Sequence, residues 1–157
     1  QIKELRHEQD AQVEQKPQAA VNKKIEVLRN LKGISRSAFT LVFEFFGWRT
    51  FANRRELGAA AGMVGTPYQS GDSAREQGIS KAGSARIRTL MVELAWCWRR
   101  YQPQSKLTKW FEERFGRGGP RMRRIGIVAL GRKLLVALWR FVEHGEVPEG
   151  AELKSVA

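Results

Sequence analysis

The sequence predicts an all-α fold: a compact multi-helix domain with a helix-hairpin-helix-like element and a long Gly/Ser/Arg loop, preceded by a helical arm. Apolar residues recur at helical spacing in one segment after another, and no alternating strand pattern interrupts them. Cap residues and breakers (Ser, Thr, Gly and Pro) stand where those segments should start and stop. The 157 residues, 42% of them hydrophobic, suffice for one domain with a core, or one domain plus an arm.

Residues 1–28 read as the end of a coiled-coil-like arm, 29–145 as the domain and 146–157 as a loose tail. In the arm, Ile2, Leu5 and Val13 are widely spaced and Pro17 interrupts them, so the segment cannot bury a face alone. It is expected to extend from the domain or to pair with a second chain, which makes a homo-oligomer the expectation. From Gln18 a better helix begins, with Val21, Ile25, Leu28 and Leu31 on one stripe, and it stops at Lys32-Gly33. Ser35 can cap a helix over Arg36–Phe46, where Phe39, Val42, Phe43 and Phe46 recur at helical spacing before Gly47. The intervening Leu-Lys-Gly-Ile-Ser resembles half of a helix-hairpin-helix unit, in which Gly33 and Ser35 would offer backbone N–H groups to a DNA phosphate. An ordinary helical hairpin with Gly33 as a C-cap is the equal alternative. Thr50 can start a third, short helix that ends at Gly62.

The Gly/Ser/Arg stretch comes next and reads as a loop of about 20 residues, long enough to be functional if ordered. A helix is expected from about Ser84 to Tyr101, burying Ile87, Leu90, Met91, Leu94, Trp98 and Tyr101. Pro103 stops it, and Ser105 caps a shorter helix over Lys106–Phe115 with Leu107, Trp110 and Phe111 inward. Gly116 to Arg124 form a basic hinge. The last helix reaches about Glu143, with Ile125, Val128, Leu135, Leu138, Trp139 and Val142 facing the core.

Charge narrows the function. The chain carries a formal +12, and residues 70–133 hold 15 Lys/Arg against 5 Asp/Glu. Such a balance predicts phosphate contacts with a polyanion, with a solvated basic face or anionic lipid as the alternative. No apolar run is long enough for a membrane span. The single cysteine, Cys97, excludes an internal disulfide and fits a cytoplasmic protein. No metal site is expected in this chain: His7 and His144 lie far apart in sequence, and Glu112-Glu113 are adjacent carboxylates with poor geometry for two metals. A P-loop is absent, and neither histidine has the context of a triad base.

Serine and arginine remain. Ser70, in Gln69-Ser70-Gly71, has the glycine-rich surroundings of a hydroxyl that could attack a phosphodiester. Arg75, Lys81, Arg86 and Arg88 can neutralise the non-bridging oxygens, and Gly71, Gly78 and Gly83 leave N–H groups accessible. Ser84, as a helix cap, would aim a positive helix end at the same phosphate. The alternative is a Gly/Ser turn in a helical DNA- or RNA-binding module without chemistry.

The stretch GMVGTPYQSGDSAREQGISKAGSARIRTLMVELAW resembles the signature of the IS-110 type insertion-sequence transposases, relatives of the Piv-type DNA invertases. Upstream, L-x-x-L-x-G-I and Phe51-Ala-Asn-Arg resemble them too, as do Arg132-Lys133-Leu134 and Leu138-Trp139, so the likeness covers about 28–145. The resemblance implies that Ser70 is the nucleophile and forms a phosphoserine link to DNA. Gly71, Arg75, Ser80, Lys81, Gly83, Arg86 and Arg88 are the expected phosphate- and DNA-binding set beside it. Further implied are a bridge RNA as guide, action as an oligomer, and an upstream RuvC-like domain whose four acidic residues hold Mg²⁺. On this reading the chain is the C-terminal domain alone, inactive by itself. Two departures from the pattern stand out. Asp72 and Ser73 occupy positions often held by glycine and a basic residue, which makes Ser73 a rival nucleophile. Ser84 replaces a common Asn or Asp.

Overall fold

The structure, a computed structural model, describes residues 19–34, 37–47, 50–63 and 71–154, with 71–84 described by backbone alone. Over these residues the chain forms helices and no strand. They are α1 (19–29), α2 (Ser37–Leu41, widening into a π-helical turn, Val42–Phe46), α3 (Arg54–Ala60), α4 (Gly71–Tyr101), α5 (Lys106–Phe111, with a second π turn, Glu112–Gly116) and α6 (Pro120–His144). The all-α expectation is what is observed. None of the helices is long and apolar enough to cross a membrane. The arm over 1–16, Ser35 and Ser70 lie outside the described residues.

Local chemistry explains most helix ends. Asn53 accepts a hydrogen bond from the Glu56 N–H at 3.0 Å, and the Glu56 carboxylate accepts from the Ala52 N–H at 3.1 Å. This reciprocal capping starts α3 at Arg54 rather than at the expected Thr50. Ser105 caps α5 as expected and also accepts the indole N–H of buried Trp98 at 3.0 Å, so one hydroxyl serves a helix end and a core aromatic. Pro120 takes the first position of α6, and Gly145, at φ 71°, ends it with its N–H on the Phe141 carbonyl.

The core lies between the two long helices. α4 buries Ile87, Met91, Leu94 and Trp98; α6 answers with Leu134, Leu135, Leu138 and Trp139. Gly131 permits their closest approach: a Cβ built there would stand 3.2 Å from the Met91 carbonyl oxygen and 3.1 Å from Met63 Cε. Leu28, Leu31, Phe45, Phe46 and Leu57 join the same cluster. A smaller cluster of Ala95, Phe111, Ile127 and Leu130 sits under α5.

Four further sequence expectations are corrected. The helix expected from about Ser84 starts at Gly71, so the Gly/Ser/Arg stretch is helical from that residue onward and α4 runs 31 residues, roughly 46 Å. Good helix formers (Ala74, Arg75, Glu76, Gln77, Lys81, Ala82) outweigh Gly78 and Gly83 there, and Asp72 and Glu76 suit a helix N-terminus. On α2, Phe39 and Phe43 are 56% and 55% exposed and stack at 5.5 Å, while Ala38, Leu41, Val42, Phe45 and Phe46 face the core. Tyr101, Ile125 and Val128 are likewise outward. Finally, residues 146–154, expected as a loose tail, return to the α1–α2 turn. Leu153 bridges Leu31 in antiparallel register, and Lys32 pairs with Glu152 at 2.7 Å. Gln102, 1% exposed, holds this return: its amide donates to the Lys32 and Glu152 carbonyls at 3.0 and 2.9 Å and accepts from the Glu152 N–H at 2.7 Å.

Candidate nucleic-acid interface

Three helices that are distant in sequence bound one open groove of about 610 Å³. α3 contributes Arg54 and Arg55 from its first turn, placed there by the Asn53 cap. α6 contributes Arg132, Lys133 and Arg140, and α5 lays Leu107 and Trp110 along the floor beside Val136. Residues 129, 133, 136 and 140 follow the spacing of a single helical face, so Ala129, Lys133, Val136 and Arg140 mix apolar and cationic groups along one stripe of α6. Among the described residues, five cations line the groove and no carboxylate does.

Charge of one sign gathered this closely opposes folding unless opposite charge neutralises it. The ion pairs among the described residues engage Lys24, Lys32, Arg86, Arg99 and Lys106, none of them in the groove. Arg132 donates its Nε–H to the Met63 carbonyl, which ties the end of the α3 segment to α6. Lys133 Nζ sits 4.6 Å above the Trp110 ring, and the Arg114 guanidinium 5.7 Å from it. The groove therefore combines a positive field with a half-buried aromatic surface, a pairing suited to phosphates and the groups attached to them.

The residues singled out in the sequence lie elsewhere. Ser70 directly precedes Gly71, the first residue of α4, and is outside the described residues. Gly71, Arg75, Ser80, Lys81 and Gly83 belong to α4. At 3.6 residues per turn, positions 81 and 88 share one face and positions 75 and 86 another, about 140° away. Arg86 reaches Glu44 on α2 at 2.6 Å, yet its side chain is 82% exposed, an ion pair that a competing phosphate can open at little cost. Gly33, at φ 94°, turns the chain between α1 and α2 with its α-carbon against Tyr101 and the Cys97 carbonyl. That face of Gly33 is filled by α4, as in a helical hairpin. The groove itself was missed, because it joins residues 54–55 to 132–140. Its trace in the sequence is Arg132, Lys133 and Arg140, the cations inside the otherwise apolar run 125–142.

Among the described residues no three His, Cys, Asp or Glu side chains gather as metal ligands. Residues 25–109 match the family model for transposases of the IS116/IS110/IS902 family. A Sinorhizobium fredii protein named as a transposase, y4rJ, is 44% identical over 130 residues, covering 82% of this chain and 33% of that protein. A second from the same organism, y4qE, also named as a transposase, is 37% identical over 78 residues, 49% of this chain and 20% of its own length. The chain thus spans a third or less of the curated relatives it matches. No solved structure matches it.

Proposed function

This chain belongs to the transposase IS116/IS110/IS902 family, and from that premise we propose that it is the part of a longer transposase that grips nucleic acid and presents Ser70 for strand exchange. The observation that carries the gripping role is the groove between α3, α5 and α6, where the described lining has five cations and no carboxylate. Lys and Arg clustered in this way neutralise phosphates and release counterions. The serine role is supported by the resemblance of residues 62–96 to the family signature and by the position of Ser70 in sequence, one residue before a long helix. In the proposed step the Ser70 oxygen bonds to phosphorus as the P–O bond to one strand end breaks. The serine proton ends on the hydroxyl of the released strand, and the phosphodiester bond energy is kept in the phosphoserine link. Arg75 and Arg86 on one face of α4, or Lys81 and Arg88 on the other, supply charge to the non-bridging oxygens. The bridge RNA, the oligomer and an upstream acidic domain holding Mg²⁺ belong to the same proposal.

The test of the chemistry uses the full-length transposase. Ser70→Ala should abolish strand exchange and leave DNA binding intact, because one hydroxyl contributes little affinity while the covalent step depends on it. Ser73→Ala should recombine normally. The reverse pattern would move the nucleophile to Ser73, and normal exchange by both variants would end the serine mechanism. The binding module without chemistry remains the second reading, favoured by the groove's position on helices other than α4.

A further inference from the structure

The groove differs from a simple duplex-binding face in one respect: its floor is apolar. Leu107, Trp110 and Val136 form it, with Arg54 and Arg55 on one lip and Lys133 and Arg140 on the other. A double helix presents only phosphates and groove edges to a surface like this, so its charged backbone would be laid against the apolar floor and lose hydration there. A single strand presents both chemistries at once. Its phosphates can take the lips while its unstacked bases lie on the floor. The volume, about 610 Å³, is in the range that takes a small-molecule ligand, about 300–1,000 Å³, and so suits splayed nucleotides.

We propose that this groove is a single-strand site, in which Trp110 stacks a base while Arg54, Arg55, Lys133 and Arg140 hold the flanking phosphates. The inference rests on the reading of the groove as a nucleic-acid interface. Lys133 and Arg114 already bring positive charge over the indole, and both are exposed side chains. A base arriving on the ring releases Lys133 to the phosphate of the same nucleotide, so the cation is kept at the site and changes partner. The floor also continues beyond the groove. Met122 and Ile125 extend the stripe of Ala129, Val136 and Arg140 toward the start of α6 and remain open to solvent. An apolar track flanked by Arg121 suits a strand longer than the groove itself.

The experiment is fluorescence anisotropy of the chain with a short labelled single strand, as DNA and as RNA, and with the same strand annealed to its complement. The single strand should bind more tightly than the duplex. Trp110→Ala should weaken single-strand binding about tenfold and duplex binding by less than about twofold. Ala137→Leu fills the groove from α6 without removing a cation and should give the same selective loss, which decides the matter if Trp110→Ala disturbs the fold. Arg140→Gln should weaken both ligands and reduce the single-strand salt slope by about 0.7. Stronger loss on DNA or on RNA assigns the strand type. Equal losses on single strand and duplex, or none on either, overturn the single-strand site while leaving the broader binding role standing. No binding of any nucleic acid at low salt overturns both.

Discussion

Replacing Gln102 with Leu should test whether the returning segment 146–154 is part of the folded unit. Leu keeps the size and the burial but removes three hydrogen bonds, two donated by the amide and one accepted from Glu152. At about 1 kcal/mol net each the loss is about 3 kcal/mol. Glu152 is exposed, so water can reach its backbone and bring the figure down to about 2 kcal/mol. The Thr108 hydroxyl still donates to the Gln102 carbonyl at 2.7 Å, so the link between α4 and α5 survives. For a chain of this size the shift in Tm is about 4–12 °C, measured by thermal unfolding with urea titration as the second probe. The sharper measurement is a cycle with a chain ending at Gly145. There the Glu152 partner is gone, and Gln102→Leu should cost at least about 1 kcal/mol less than in the full chain. A cost under about 0.5 kcal/mol in the full chain, or equal costs in both backgrounds, would refute the clamp.

Two further outcomes test the packing. Phe39→Ser with Phe43→Ser should leave stability within about 1 kcal/mol of the parent, since both rings are outward; a loss of about 3 kcal/mol or more in urea titration would place them in the core. Gly131→Leu should cost about 1–3 kcal/mol by forcing α4 and α6 apart at Met91, read as a lower urea midpoint with an unchanged slope. An unchanged midpoint would show that the two helices are not in close contact there.

Much of this molecule is local and therefore legible. The Ser105 cap, Pro120 at the start of α6 and Gly145 at its end act within one turn of chain, and the sequence alone determined them. The basic balance is a sum over residues, independent of the fold, and it pointed to a polyanion before any geometry was known. The order of helices follows from periodicity for the same reason. On α2, by contrast, two overlapping stripes are apolar, 38-41-42-45 and 39-42-43-46, and helical spacing admits both. Packing against α4 buried the first and left Phe39 and Phe43 in solvent. Gln102 reads as a polar residue after a helix until the chain returns and supplies the groups its amide needs. The groove is the clearest case of this kind. Arg54 and Arg55 are separated from Lys133 and Arg140 by most of the domain, and no local rule brings them together. Only the docking of α3 and α5 on α6 sets those cations across one apolar floor, because a field of charge depends on distance in space and not along the chain.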